Sequence, residues 1–225
     1  MMSLCVFRPV LLTLTLLLCS ESAADQHQFV EEGQSVTLSC GDVRERQREC
    51  TGTTWTFYSV DKPGESKSLI TLGVLNSSVP EISKRLRLKE NCGLEIQNVH
   101  PQDAGLFYCQ QYNQSGRLLS PDAPVYLSVV SLTKRTEEKN VELNCSVSSS
   151  LHDVKTKWLF KGKEVNNSGI TTNNLQHGVT VTLPKSHFLY KKVDLFKCEV
   201  TDGENKKKFS FRSNKPGETR RRSQI

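Results

Sequence analysis

A cysteine-tryptophan-cysteine pattern occurs twice in this chain, first as Cys40, Trp55 and Cys109, then as Cys145, Trp158 and Cys198. In each copy a cysteine closes an alternating strand, a tryptophan follows on the next strand, and a distant cysteine returns on a later one. That order is the trace of two β-sandwiches, each pinned across its sheets by a disulfide packed on an indole. The predicted fold class is therefore all-β, with two sandwiches in tandem. Modules of this build bind other molecules and rarely do chemistry.

The cysteine count has to be read with the compartment. Residues 1–24 have the features of a secretory signal: Arg8 at the start, an apolar run from Pro9 to Cys19, and small residues at Ser22 and Ala24 before the cut. The run falls short of the roughly 20 apolar residues that cross a bilayer. Cleavage would remove Cys5 and Cys19, so the eight cysteines become six, an even number that predicts three disulfides in an oxidising compartment. The sequons at Asn76, Asn113, Asn144 and Asn166 agree with export and mark expected glycosylation sites. The longest later apolar stretch, Val125 to Leu132, is short and broken by Ser128 and Ser131, so no membrane span is expected in this chain. The final residues, Thr-Arg-Arg-Arg-Ser-Gln-Ile, lack the hydrophobic tail of a lipid-anchor signal. The expectation is a secreted or extracellular protein, at the cell surface if a longer form carries a membrane helix.

Strand periodicity then places the modules. Val36, Leu38 and Cys40 share one face, as do Trp55 and Phe57, Leu94 and Ile96, Phe107 and Cys109, and Val125, Leu127 and Val129. The scheme returns with Val141, Leu143 and Cys145; Trp158 and Phe160; Val179, Val181 and Leu183; Phe196, Cys198 and Val200; and a last strand with Phe209 and Phe211. The joint near Val130 to Thr136 has no Gly or Pro, which predicts a short, stiff connection. Expected boundaries are 1–24 for the signal, 25–130 and 131–213 for the two domains, and 214–225 for a basic, disordered tail.

The stretch Leu94-x-Ile96-x-x-Val99-x-x-x-Asp103-x-Gly105-x-Phe107-x-Cys109, with Trp55 upstream, resembles the strand E to strand F signature of the immunoglobulin superfamily. The whole is similar to a two-domain immune-type receptor or cell-adhesion ectodomain of a vertebrate, of a kind abundant in fish. The resemblance implies two tandem immunoglobulin-like β-sandwiches. The 69-position separation of Cys40 and Cys109 suits a variable-type domain, and the 53 positions from Cys145 to Cys198 suit a constant-like or intermediate one. It also implies that Arg85 or Arg87 pairs with Asp103. Cys92 shares inward parity with Leu94 and Ile96 and Cys50 lies just before the Trp55 strand, so a third bridge between them at one end of the first sandwich is expected, with free thiols or an intermolecular bond as the alternative. Six cysteines allow fifteen connectivities, so this choice rests on fold logic rather than on spacing alone. Two departures stand out. Phe107 and Phe196 replace the tyrosine that ties the E–F corner to backbone. The Gly-x-Gly bulge of rearranged antigen receptors is missing after Cys109.

No catalytic constellation is legible, so no enzyme activity, metal or cofactor is expected. His27, His100, His152, His177 and His187 lack ligand spacing, and no Gly-rich phosphate cradle occurs. Strand parity does suggest a binding face. With Trp55, Phe57, Phe107 and Cys109 inward, Tyr58, Tyr108, Tyr112 and Tyr126 point outward from one sheet, beside Arg117 on the adjoining loop. Tyrosine offers apolar area, a polar tip and few torsions to freeze, which suits recognition. The expected partner is a cell-surface or secreted protein, a second copy of this chain included. The charged loop from Gly41 to Gly52, with Arg44, Arg46 and Arg48, is a weaker candidate.

A rival function comes from charge. Residues 25–127 carry 10 basic and 13 acidic side chains, whereas residues 128–225 carry 19 and 10. Lys206, Lys207 and Lys208, with Arg220, Arg221 and Arg222, sharpen the basic end. Heparan sulfate or another matrix glycosaminoglycan is thus the alternative partner, acting through the second domain. Export argues against nucleic acid.

Overall fold

A computed structural model describes residues 26–41, 49–62, 64–119, 123–166, 168–203 and 205–211. The expected signal with Cys5 and Cys19, the arginines at 44, 46 and 48, and the tail with Arg220 to Arg222 lie outside the described residues.

The strands of the first half are β1 (Gln26–Glu31), β2 (Val36–Leu38), β3 (Thr53–Ser59), β4 (Ser66–Thr71), β5 (Val74–Leu75), β6 (Leu86–Leu88), β7 (Leu94–Ile96), β8 (Gly105–Gln111) and β9 (Ala123–Thr136). A single helical turn, α1 (Pro80–Ser83), separates β5 from β6. Those of the second half are β10 (Asn140–Ser148), β11 (Lys155–Phe160), β12 (Lys163–Glu164), β13 (Thr171–Leu175), β14 (Gly178–Pro184), β15 (Phe196–Asp202) and β16 (Asn205–Ser210).

In the first half a small sheet, β2-β7-β6, faces the run β5-β4-β3-β8-β9. Between them lies a core of Leu38, Trp55, Phe57, Leu69, Ile70, Leu86, Leu94, Ile96, Phe107, Val125 and Leu127. The period-2 burial of β3 and β8 is what makes one face core and the other surface. The Cys40–Cys109 bridge crosses the two sheets with its Cα atoms 5.3 Å apart. Trp55 is fully buried and its Nε1 donates to the Cys92 carbonyl at 3.0 Å. Cys92 is itself bridged to Cys50, so the indole is tied to that second disulfide.

The second half repeats the plan. The sheet β12-β11-β15-β16 faces β13-β14-β10-β9 across Val141, Leu143, Trp158, Val181, Leu183, Phe196 and Val200. The Cys145–Cys198 bridge spans them, and Trp158 donates through Nε1 to the Val179 carbonyl at 3.1 Å. Phe211 lies just past the last strand, stacked on Trp158 at 5.6 Å.

Two features depart from the sequence-based picture. There is no separate connection at 130–136. Strand β9 runs unbroken from Ala123 to Thr136, pairing with β8 at its start and with β10 at its end. Its side chains change allegiance at one step: Val129 packs in the first core and Val130 in the second. The second feature is β1, which pairs in parallel with β9 and sends Phe29 into the second core while Val30 enters the first. Around it, Lys207 Nζ donates to the Phe29 carbonyl at 2.7 Å, Ser131 Oγ donates to Glu32 Oε2 at 2.6 Å, and His27 Nδ1 hydrogen-bonds Asp202 Oδ2.

Candidate recognition faces

The outward face of β4-β3-β8-β9 is a lattice set by strand register. Tyr58 on β3 and Tyr126 on β9 flank Leu106 of β8 from either side. One step along, Thr56 and Pro124 flank Tyr108, and Thr54 pairs with Gln110. Tyr58 and Tyr108 meet edge to face with ring centroids 5.7 Å apart, and Tyr58 is 40% exposed. Thr56, Tyr58, Leu106, Tyr108 and Gln110 together line a shallow concavity. Tyr112 continues the row, its hydroxyl donating to Gln110 Oε1 at 3.1 Å.

Gly105 makes this packing possible. A β-carbon there would come within 2.2 Å of the Tyr58 carbonyl oxygen, so only glycine lets β8 approach β3 at the first tyrosine.

The two remaining members of the expected set are placed differently. Tyr126 is half-buried and meets His27 of β1 edge to face at 4.9 Å, so it faces the joint between the halves as much as solvent. Arg117 sits on the β8–β9 turn. Its backbone N–H donates to Asn113 Oδ1 at 2.8 Å, and Tyr112 and Leu118 bridge below it. The turn, not the sheet, positions this residue.

The flank of the first half is braced by charge. Arg85 meets Asp103 in a two-pronged pair at 2.6 and 2.7 Å, with Asp103 nearly fully buried. The same carboxylate accepts from the His100 backbone N–H at 2.8 Å. Arg87 turns instead to the carbonyls of Leu86 and Lys84. A bidentate guanidinium with its remaining valences on the Asn98 and Gln97 carbonyls satisfies a buried carboxylate.

The sequons differ in their surroundings. Asn113 and Asn166 are exposed. Asn76 donates through Nδ2, the atom a glycan would need, to the Ser68 carbonyl at 2.9 Å. Asn144 lies mid-strand in β10, where its Oδ1 accepts from Thr180 Oγ1 at 3.0 Å.

Residues 24–127 match the immunoglobulin V-set domain. The chain belongs to the immunoglobulin superfamily. No curated protein matches it. In the V-set half, the Trp55 strand, the Cys109 strand and β9 form one sheet, and this immunoglobulin sheet carries the tyrosines. Among the described residues no helix is long and apolar enough to cross a membrane. Among the same residues, no three His, Cys, Asp or Glu side chains are grouped to hold a metal ion. A V-set domain is an extracellular-type recognition module, and protein–protein interaction is the activity it suggests.

Residues that the sequence reasoning missed lie in the second half. Lys155, Lys157 and Lys197 share an outward face with Lys206 and Lys208, around Glu199. The alternation Lys155-x-Lys157 and Lys206-x-Lys208 was the available signal. Lys207 has the opposite parity. It lies 5.7 Å over the Phe209 ring and ties down β1, so it does not belong with its two neighbours.

Proposed function

We propose that the protein is an extracellular receptor-like or adhesion-type binder that engages a protein counter-receptor through the tyrosine face of its V-set domain. In this reading residues 25–130 form the recognising domain, and residues 131–213 form a second immunoglobulin-like domain that presents it. Residues 1–24 direct export. The observation that carries the reading is the uncharged aromatic row of Tyr58 and Tyr108, continued by Tyr112, along the outward face of β3 and β8. Aromatic side chains held on a scaffold give large contact area at little entropic cost, which is how interface centres gain affinity. A glycan on Asn113 would stand at the rim of this face and limit the partner's approach from the β8–β9 turn.

The test uses the multimerised, glycosylated protein on a panel of blood and stromal cells. Cell-type-restricted binding is expected, surviving heparinase. Tyr58→Ala with Tyr108→Ala should weaken it by about tenfold or more while leaving the thermal melt in place. Unchanged binding by that folded double variant would remove the tyrosine face from the function.

A further inference from the structure

The outward face of β11-β15-β16 is a three-by-three lattice with a buried acid at its centre. Reading across the strands, its rows are Lys155, Thr201 and Lys206; Lys157, Glu199 and Lys208; and Leu159, Lys197 and Ser210. Five of the eight positions around Glu199 are lysines. By ordinary strand spacings the patch spans roughly 10 by 13 Å. Glu199 has a side chain only 6% exposed, with Lys157 Nζ at 3.4 Å, Lys208 Nζ at 3.5 Å and Lys206 Nζ at 4.0 Å. Burial alone would push its carboxyl up. The hydrogen bond from Lys157 and the charges of Lys206, Lys157 and Lys208 outweigh that and hold it below its ordinary value. Glu199, with Glu164 Oε2 a further 3.8 Å from Lys157 Nζ, sets two carboxylates against five lysines, which leaves a positive surplus on a flat sheet.

Edge protection accounts for only part of this. Lysines on an edge strand such as β16 discourage pairing with another chain. Lys197 sits on β15, which is paired on both sides, whereas β12 pairs with β11 only at Leu159 and Phe160 and leaves Lys155 and Lys157 on an edge stretch. Beside the lattice opens a cleft of about 560 Å³ lined by Lys155, Lys157 and Lys206, by Glu164 and Glu199, and by the polar residues Thr172, Asn174 and Gln176. The combination is ammonium groups on a rigid grid next to amide and hydroxyl groups in a groove. Lysine acts as a hydrated point charge that meets anionic oxygens without demanding a fixed fork geometry.

We infer that this face binds a sulfated glycosaminoglycan, with sulfates over the lysine lattice and sugar hydroxyls along the cleft. This site is independent of the tyrosine face. It rests on the strand register of the second half, which splits the Lys206–Lys208 run and recruits lysines from two other strands.

The experiment measures binding of the full secreted chain to immobilised heparin as a function of NaCl concentration, with desulfated heparin alongside. Lys155→Gln with Lys197→Gln leaves every lysine that pairs with Glu199 in place, and adding Lys206→Gln extends the series. The expected result is progressive weakening that reaches about tenfold or more for the triple variant, with a shallower salt dependence and an unchanged melt. Lys207→Gln, and Arg220→Gln with Arg221→Gln and Arg222→Gln, should each stay within about twofold of the parent. The proposal is overturned if the tail variant loses binding while the lattice variants keep it, or if desulfated heparin binds equally well. Absence of heparin binding by the parent chain overturns it too.

Discussion

The Trp55 sheet and the Trp158 sheet occupy equivalent places in the two halves, yet their outward faces have opposite chemistry. On the first, Thr54, Thr56, Tyr58, Leu106, Tyr108, Gln110 and Tyr126 carry no formal charge. On the second, five lysines ring one glutamate. The inward faces are alike, because both must cover a tryptophan and a disulfide. Core positions are set by what the sandwich needs, so they repeat. Surface positions are set by what the face meets, and these diverge. A neutral aromatic lattice favours a partner that excludes water, whereas a lysine lattice favours one that brings its own anions.

The largest effect that would sharpen this contrast is expected from the buried ion pair of the first half. Asp103→Ala leaves Arg85 buried without its carboxylate and should cost about 3–5 kcal/mol, read as a drop in the urea midpoint. The second half has Lys192 at the corresponding distance before its cysteine, in place of the aspartate. A loss under about 1 kcal/mol would mean the brace is dispensable.

Next comes the joint. Phe29→Ala should cost about 3 kcal/mol. Its effect should reach the second core, with amide-exchange protection falling in β10 and β14 although the residue belongs to β1. Protection lost only in β1 and β9 would break the idea that β1 couples the halves.

A smaller effect separates the two halves by pH. Glu199 titrates below its ordinary value of 4.5, so the folded state holds its proton less tightly than the unfolded chain does. The stability it contributes is complete above that ordinary value and is lost as the pH falls through the lower folded one. Acid titration should therefore loosen β15 and β16 in the range below about pH 4.5, and Glu199→Gln should flatten that part of the profile. An identical acid profile for the variant would remove Glu199 from the account.

The smallest effect is expected at Lys134 and Asp194. They form an ion pair at 2.9 Å with Asp194 well exposed. Asp194→Ala should change stability by about 0.5 kcal/mol or less. A loss near that of Asp103→Ala would show that exposure is a poor guide to the worth of these pairs.

Much of the fold was legible because period-2 alternation and cysteine spacing are local signals. Trp55, Phe57, Phe107 and Cys109 point inward on any sheet that buries one face, so Tyr58 and Tyr108 had to point outward. Their ring contact and the concavity beside them were not legible, since they depend on Gly105 letting β8 close on β3. Tyr126 shows the limit of parity. It is outward by count, but half-buried beside His27, a residue almost a hundred positions away in the chain. The role of Phe29 was hidden for the same reason: among the described residues, nothing near it in sequence belongs to the core it enters.

The sequence by itself determined two disulfide-pinned β-sandwich patterns, their inward residues and the charge imbalance between the halves. Each follows from alternation, spacing or composition, which need no knowledge of neighbours. Only the tertiary structure decided that β9 is a single strand serving both cores and that Arg85, not Arg87, meets Asp103. It also decided that Lys206 and Lys208 part from Lys207 to join lysines of β11 and β15. These outcomes turn on strand register, and register is fixed by long-range pairing between residues that the chain keeps far apart.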